Sequence, residues 1–215
     1  MQTIEVSVLI TCFNKEKYLA ECVASVLRNT KQPKEIIIVH DGCDNPMHHV
    51  GVDSIFLKQN YGVAHARDVA FKYSTGKLIL FLDADDVISP DYIEKMAWAI
   101  FKGADIAYPD IFVWAGKESK LAKIPKKITI KFVKDFEKVA IPVTSLMKRE
   151  VYEKLGGFKK MDVLEDLDFF VRALKEGFVF KKTETLLWYR RYEGTRNSVD
   201  RNTKKMIIQE IMKQL

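Results

Sequence analysis

Ile79-Leu80-Phe81-Leu82-Asp83-Ala84-Asp85-Asp86 joins an apolar run to three carboxylates within four positions. The run from Lys77 to Leu82 is short, rich in Ile, Leu and Phe, and bounded by turn residues, as in a strand buried on both faces. The acids therefore stand at its carboxyl end. In open α/β sheets ligands bind in the crevice beyond those ends, and hard divalent cations take oxygen ligands from one or two carboxylates plus substrate phosphates. Three crowded like charges need a cation or another partner. The bland reading of the same acids is a solvated turn before the helix at Pro90.

Working outward, the same grammar recurs. Glu5 to Thr11 is an apolar strand that stops at Thr11-Cys12-Phe13-Asn14. A helix follows from Lys17 to Arg28, with Tyr18, Leu19, Cys22, Val23, Val26 and Leu27 at helical spacing and Asn14 as the expected cap. Glu35 to Val39 is a second strand ending at His40-Asp41-Gly42, and Val52 to Lys58 a third. Asn60-Tyr61-Gly62 leads into a helix from Val63 to Tyr73. Strands alternating with such helices predict an α/β fold: a mixed, mainly parallel sheet flanked by helices in a single domain. Right-handed crossovers bring every carboxyl end to one rim, so Asp41 and Asp83 to Asp86 face a common crevice.

Beyond the helix from Pro90 to Phe101 the pattern loosens. Ala104 to Tyr108, Ile111 to Trp114, Pro142 to Met147 and Leu186 to Arg191 read as strands, and Gly116 to Lys127 as an exposed basic loop. Val151 to Leu155 is a short helix before Gly156-Gly157-Phe158. Leu164 opens a helix reaching about Lys175, and Thr203 to Leu215 is an amphipathic C-terminal helix.

Composition narrows the class. The 215 residues suit one domain with a substantial core, and 47% hydrophobic with 30% charged residues is the balance of a soluble globular chain. No segment approaches the roughly 20 apolar residues of a membrane span, and the N-terminus lacks a signal-type apolar core. Three cysteines, Cys12, Cys22 and Cys43, without paired spacing, argue against a disulfide framework or a zinc cluster and for a cytoplasmic setting. The net charge of +6 gathers at Lys117 to Lys134, Arg190-Arg191 and Lys204-Lys205, read as solvated faces. No nucleic-acid module accompanies them.

Together these segments resemble the inverting glycosyltransferases of family 2, which use the GT-A fold and nucleotide-sugar donors. The parts are Val6 to Thr11 with Phe13-Asn14, Glu35 to Gly42, Asn60-Tyr61-Gly62 with Ala66-Arg67, Asp83-Ala84-Asp85-Asp86, Gly156-Gly157-Phe158, Glu165-Asp166 and Tyr189-Arg190. Their order and spacing carry the resemblance. It implies a nucleotide-binding half at about residues 1–102 and an acceptor-side half at about 103–215. It implies that Thr11, Phe13 and Asp41 receive the base, that Arg67 lies near base and diphosphate, and that Asp83 contacts the ribose. Asp85, with Asp83, would hold Mn²⁺ or Mg²⁺. Asp166 would be the general base and Glu165 would hold the acceptor or position that base. Asn14 and Asp86 are secondary candidates, Asp86 as a loop-orienting or acceptor-contacting residue.

The implied donor is a nucleoside-diphosphate sugar, with a UDP-sugar favoured. The implied acceptor is a hydroxyl of a glycan, glycolipid or protein-linked glycan, reached in the cytoplasm or at the cytoplasmic face of a membrane. The C-terminal helix could lead into a further domain or pair with a second copy. This chain departs from the family at His40, where many members carry Asp, and at Tyr192, where many carry His; Arg190, Arg191 or Arg196 would then face the diphosphate. His48 and His49 read as solvent-facing, His65 as packing or surface. The rival class is a non-catalytic nucleotide-binding or phospho-receiver-like α/β domain. A receiver needs an acidic pair after the first strand, where this chain has Thr11-Cys12-Phe13-Asn14. A nicotinamide-binding domain needs a glycine-rich turn there.

Overall fold

The computed structural model describes residues 5–114, 119–129, 141–161, 163–190 and 201–213. The apolar runs of the first half become four parallel strands: β1 (Val6–Cys12), β2 (Glu35–Asp41), β3 (Asp53–Leu57) and β4 (Leu78–Asp83), in the spatial order β3-β2-β1-β4. Helix α1 (Glu16–Leu27) joins β1 to β2, and α2 (Val63–Tyr73) joins β3 to β4. Strand alternation then sorts the core into two layers. Leu9, Val39, Ile79 and Phe81 pack with Ala66 and Ala70 of α2. Val8, Ile10, Ile38, Leu80 and Leu82 pack on the other face with Leu19, Val23 and Val26 of α1.

The second half extends the same sheet. After β5 (Val87–Ile88) and α3 (Tyr92–Phe101) come β6 (Ile106–Trp114), β7 (Lys120–Ala122), β8 (Leu146–Lys148), α4 (Arg149–Leu155), α5 (Glu165–Lys175), β9 (Phe180–Arg190) and α6 (Arg201–Met212). β8 is antiparallel to β4 and β6, and the order continues β4-β8-β6-β9-β5, with β7 against β6. In α6, Ile211 is buried against the α2-side core.

Several boundaries differ from the sequence expectation. The two strands expected at Ala104–Tyr108 and Ile111–Trp114 are one, β6, with Pro109 inside it. Proline has no N–H for a ladder, and the register against β9 shifts between Tyr108 and Asp110 to accommodate it. β9 begins at Phe180 rather than Leu186. Its polar opening hid it, yet those groups are paired: Lys182 Nζ lies 2.7 Å from Asp110, and the Thr183 and Thr185 hydroxyls are 2.6 Å apart. β5 and β7 were not foreseen, and of the expected Pro142–Met147 strand only Leu146 and Met147 are paired as one, in a strand that runs on to Lys148. Asn14 is not the cap of α1. The helix starts after Lys15 without a side-chain cap, and Asn14 adopts φ 50°, a left-handed conformation that Asn tolerates well.

Two clamps fix the turn that launches β4. Glu35 Oε1 accepts hydrogen bonds from Ser7 Oγ (2.5 Å), Thr75 N (2.6 Å) and Gly76 N (3.2 Å), and Arg149 donates to the Gly76 and Ser74 carbonyls at 2.7 and 2.9 Å. Burial alone would raise the Glu35 pKa, but these donors overcome it and hold the carboxyl below its ordinary value. A depressed folded-state pKa contributes stability that is complete above the unfolded value and lost as pH falls through the folded one. Glu35→Gln should therefore lower stability at neutral pH by about 1–2 kcal/mol, with the difference from wild type shrinking in acid. Urea unfolding at neutral pH and in acid, below the folded pKa, checks this; a difference independent of pH contradicts it.

Candidate active site

Register places the expected residues. Thr11 is the Cα partner of both Val39 on β2 and Asp83 on β4, so Thr11, Asp41 and Asp83 share the α2 face at the carboxyl ends of three adjacent strands. There they line an open cleft of about 740 Å³ with Phe13, Lys15, Asp85 and the amino end of α2. Phe13 presents an exposed ring at 44%. Lys160 and Met161 border the cleft from the second half of the chain. His65, expected to be packing or surface, is also on its wall, with its ring 5.1 Å from that of Tyr61.

Asp41 is 3% exposed, and both its oxygens are in use. Oδ1 accepts from Tyr61 N at 2.8 Å and Oδ2 from Gly62 N at 2.9 Å, which docks the start of α2 over the end of β2. Gly42 is required beside it: at φ 69° a Cβ would run into the Gln59–Asn60 backbone. Asp41-Gly42 is therefore a backbone clasp as well as part of the cleft.

Arg67, expected near base and diphosphate, is engaged by carboxylates of the protein. It is 3% exposed, with Nη1 2.7 Å from Glu165 Oε1 and Nη2 3.1 Å from Asp83 Oδ1, and its guanidinium lies 5.1 Å above the Phe158 ring. Burial works against the cation, but Asp83, Glu165 and Asp166 outweigh it and push its pKa up. A buried charge is tolerated only when paired in this way. The pairing ties the strand-end acid to the acidic start of α5. Asp83 also accepts from Thr11 Oγ1 at 3.4 Å.

Asp166 sits in the first turn of α5, where its Oδ1 accepts from Leu167 N at 2.8 Å and its charge suits the helix dipole. Leu164, just before, is held at φ 66°, a conformation that costs a non-glycine residue about 1–2 kcal/mol. The Gly156-Gly157-Phe158 segment acquires a physical reason here. Gly157 has φ 75°, and a Cβ would come within 2.7 Å of Asp68 Oδ1. Arg172, paired to buried Asp168 at 2.7 Å, donates to the Gly157 carbonyl at 2.8 Å. This seats Phe158 beneath Arg67.

The remaining acids divide. Asp85 faces the cleft, with Lys15 Nζ 3.3 Å away. Burial and then Asp83 raise its pKa, opposed by Lys15. Lys15 went unnoticed in the sequence because its partner lies 70 residues away. Asp86 turns inward, 2% exposed, and accepts from the Arg190 backbone N–H at 3.1 Å. Arg190 itself is not on the cleft wall: it pairs with Glu21 and lies 4.6 Å over each of Tyr18 and Trp114. Arg191, Tyr192 and Arg196 lie outside the described residues.

Residues 7–156 match the family model for glycosyl transferase family 2. The chain belongs to that family. Among its family 2 relatives, an uncharacterized glycosyltransferase of Bacillus subtilis, YwdF, is 29% identical over 187 residues, covering 80% of this chain and 69% of that protein. An uncharacterized glycosyltransferase of Methanocaldococcus jannaschii is 28% identical over 222 residues, covering 94% and 76%. The crystal structure of S. aureus TarS 1-349 in complex with UDP-GlcNAc matches with a TM-score of 0.75 at 17% identity, covering 97% of this family 2 chain. The chain spans 65% of the TarS chain. That likeness shows the GT-A fold.

The Arg67 bridge gives a direct test. Arg67→Met leaves Asp83 and Glu165 without their shared cation, and stability measured by urea unfolding should fall by about 3–5 kcal/mol. Arg67→Lys should recover only part, since an ammonium lacks the planar fork that reaches two carboxylates. A loss below about 1 kcal/mol in Arg67→Met, the level of an exposed ion pair, contradicts the bridge.

Proposed function

We propose that this protein is an inverting glycosyltransferase that moves a sugar from a nucleoside-diphosphate donor, UDP-linked in the favoured reading, to a hydroxyl of a glycan, glycolipid or protein-linked glycan. The observation that carries this is the cleft itself: a polar and aromatic end at Thr11, Phe13 and Asp41, and an acidic end at Asp83 and Asp85 joined through Arg67 to the start of α5. Its volume suits a nucleotide-sized ligand. The TarS structure named above was solved with UDP-GlcNAc, which supports the same donor class here. Reaction in the cytoplasm, or at the cytoplasmic face of a membrane, follows from that donor reading; among the described residues no helix is long and apolar enough to cross a membrane.

In this reading the base stacks on Phe13, with Thr11 as a polar neighbour. Each Asp41 oxygen accepts one backbone amide and keeps a further lone pair for an imide N–H. Asp83 and Asp85 fit Mn²⁺ or Mg²⁺: both are hard oxygen donors, and burial first and then Asp83 raise the Asp85 pKa, a charge crowding that a divalent cation would relieve. When bound, that cation supplies Lewis-acid stabilisation of the charge left on the departing diphosphate. Lys15 adds a fixed positive charge beside Asp85. Asp166 accepts the proton of the acceptor hydroxyl as its oxygen attacks the anomeric carbon, and one displacement from the side opposite the diphosphate inverts the configuration. Glu165, held by Arg67, fixes the helix start that carries Asp166.

Calorimetric titration of UDP, GDP and dTDP, with and without Mn²⁺, tests the donor half. UDP with Mn²⁺ should bind most tightly, and no binding of any diphosphate to folded protein contradicts the reading. For the chemistry, Asp166→Asn should lower turnover about 10²- to 10⁴-fold while UDP affinity stays unchanged. Turnover at the wild-type rate removes Asp166 from the role of base.

A further inference from the structure

Cys12, His40 and Cys43 have no metal-binding spacing in the sequence, yet the sheet assembles them. Cys12 and His40 are Cα partners across β1 and β2. Strand alternation turns both away from Thr11 and Asp41, onto the α1 face. Cys43, just past β2, folds back so that its Sγ donates to the Cys12 carbonyl at 3.1 Å. One ligating atom from each residue, two sulfurs and an imidazole nitrogen, lies within 4.8 Å of the others.

We propose that Cys12, His40 and Cys43 bind a thiophilic divalent ion of the Zn²⁺ class on the α1 side of the sheet, with Cys12 also bordering the cleft. This site is separate from the hard-cation pair Asp83 and Asp85 and stands independently of the transfer reaction. The decisive observation is His40. It is 1% exposed, and neither ring nitrogen makes a well-formed hydrogen bond, the Met47 backbone being a weak partner at best, so the buried imidazole is under-satisfied unless something else meets it. Its ring is fixed by stacking on Phe56, centroids 4.8 Å apart and planes within 10°. Burial lowers its pKa, helped by His48 and His49 and opposed by Glu16 and the Met47 backbone, and a neutral imidazole is the form that ligates metal.

Two thiolates and an imidazole select Zn²⁺ over Mg²⁺ or Ca²⁺, which prefer oxygen. Glu16, at the start of α1, lies within hydrogen-bonding reach of the Cys43 thiol and accepts from Asn45 N at 3.3 Å. The fourth position of a tetrahedral set is open to water. On binding, two metal–sulfur bonds and one metal–nitrogen bond form, and the two thiol protons pass to solvent. The ion would clip the segment after β2 to the residue between Thr11 and Phe13, bracing the cleft from the α1 side of the sheet. Cysteine spacing alone argues against a zinc cluster; the three residues meet only through strand pairing, which spacing does not encode.

Co²⁺ titration of the reduced full chain tests the site. One equivalent should bind with thiolate-to-cobalt charge-transfer absorption and tetrahedral d–d bands, and Zn²⁺ should displace it. Cys43→Ser and His40→Ala should each weaken Co²⁺ binding by more than about tenfold, since even loss of a group that merely orients a ligand has effects of that size. Cys43 is only half-buried, so Cys43→Ser should keep the wild-type circular dichroism, and Cys22→Ala should keep the cobalt spectrum. Absence of charge-transfer bands in the reduced protein overturns the proposal. So does an unchanged spectrum in folded Cys43→Ser, or a Cys12–Cys43 disulfide by mass as the pair's only chemistry.

Discussion

A guanidinium that is 3% exposed has to be neutralised where it stands, and the neutralisation of Arg67 organises this molecule. Its partners come from opposite halves of the chain: Asp83 ends a parallel strand of the first half, and Glu165 opens a helix of the second. Phe158 supplies the floor, and Phe158 is seated by Gly157 and by the Asp168–Arg172 pair. A chain of charge pairing and aromatic packing thus runs from the strand ends to α5. It fixes the orientation of the two acidic segments toward one another with protein groups alone.

The strand ends carry two chemistries on two faces. Facing α2, Thr11, Asp41 and Asp83 offer oxygen donors and acceptors to an open cleft. Facing α1, Cys12 and His40 offer sulfur and nitrogen in a buried corner with Cys43. Period-two alternation puts Thr11 and Asp41 on one face of β1 and β2 and Cys12 and His40 on the other.

Much of the first half was legible because its signals are local. Apolar runs marked β1 to β4, and right-handed crossovers put Asp41 and Asp83 on one rim without any structure. What stayed hidden depends on residues distant in sequence. Lys15 meets Asp85, and Arg67 is consumed by Asp83 and Glu165, through contacts that no spacing rule encodes. The polar start of β9 hid a strand because its lysine and threonines find partners only once β6 lies beside it. Asn14 looked like a cap by residue type, but its backbone is left-handed and the helix begins one residue later.

The central claim is that Arg67 is a fixed bridge between the strand-end acid Asp83 and the α5 acid Glu165, rather than a clamp on phosphate. A crystal structure of the protein with UDP and Mn²⁺ tests it most directly. The expected result is a nucleotide against Phe13, a cation on Asp85, and Arg67 still bonded to Asp83 and Glu165. A guanidinium that leaves both carboxylates to grip the diphosphate would contradict it.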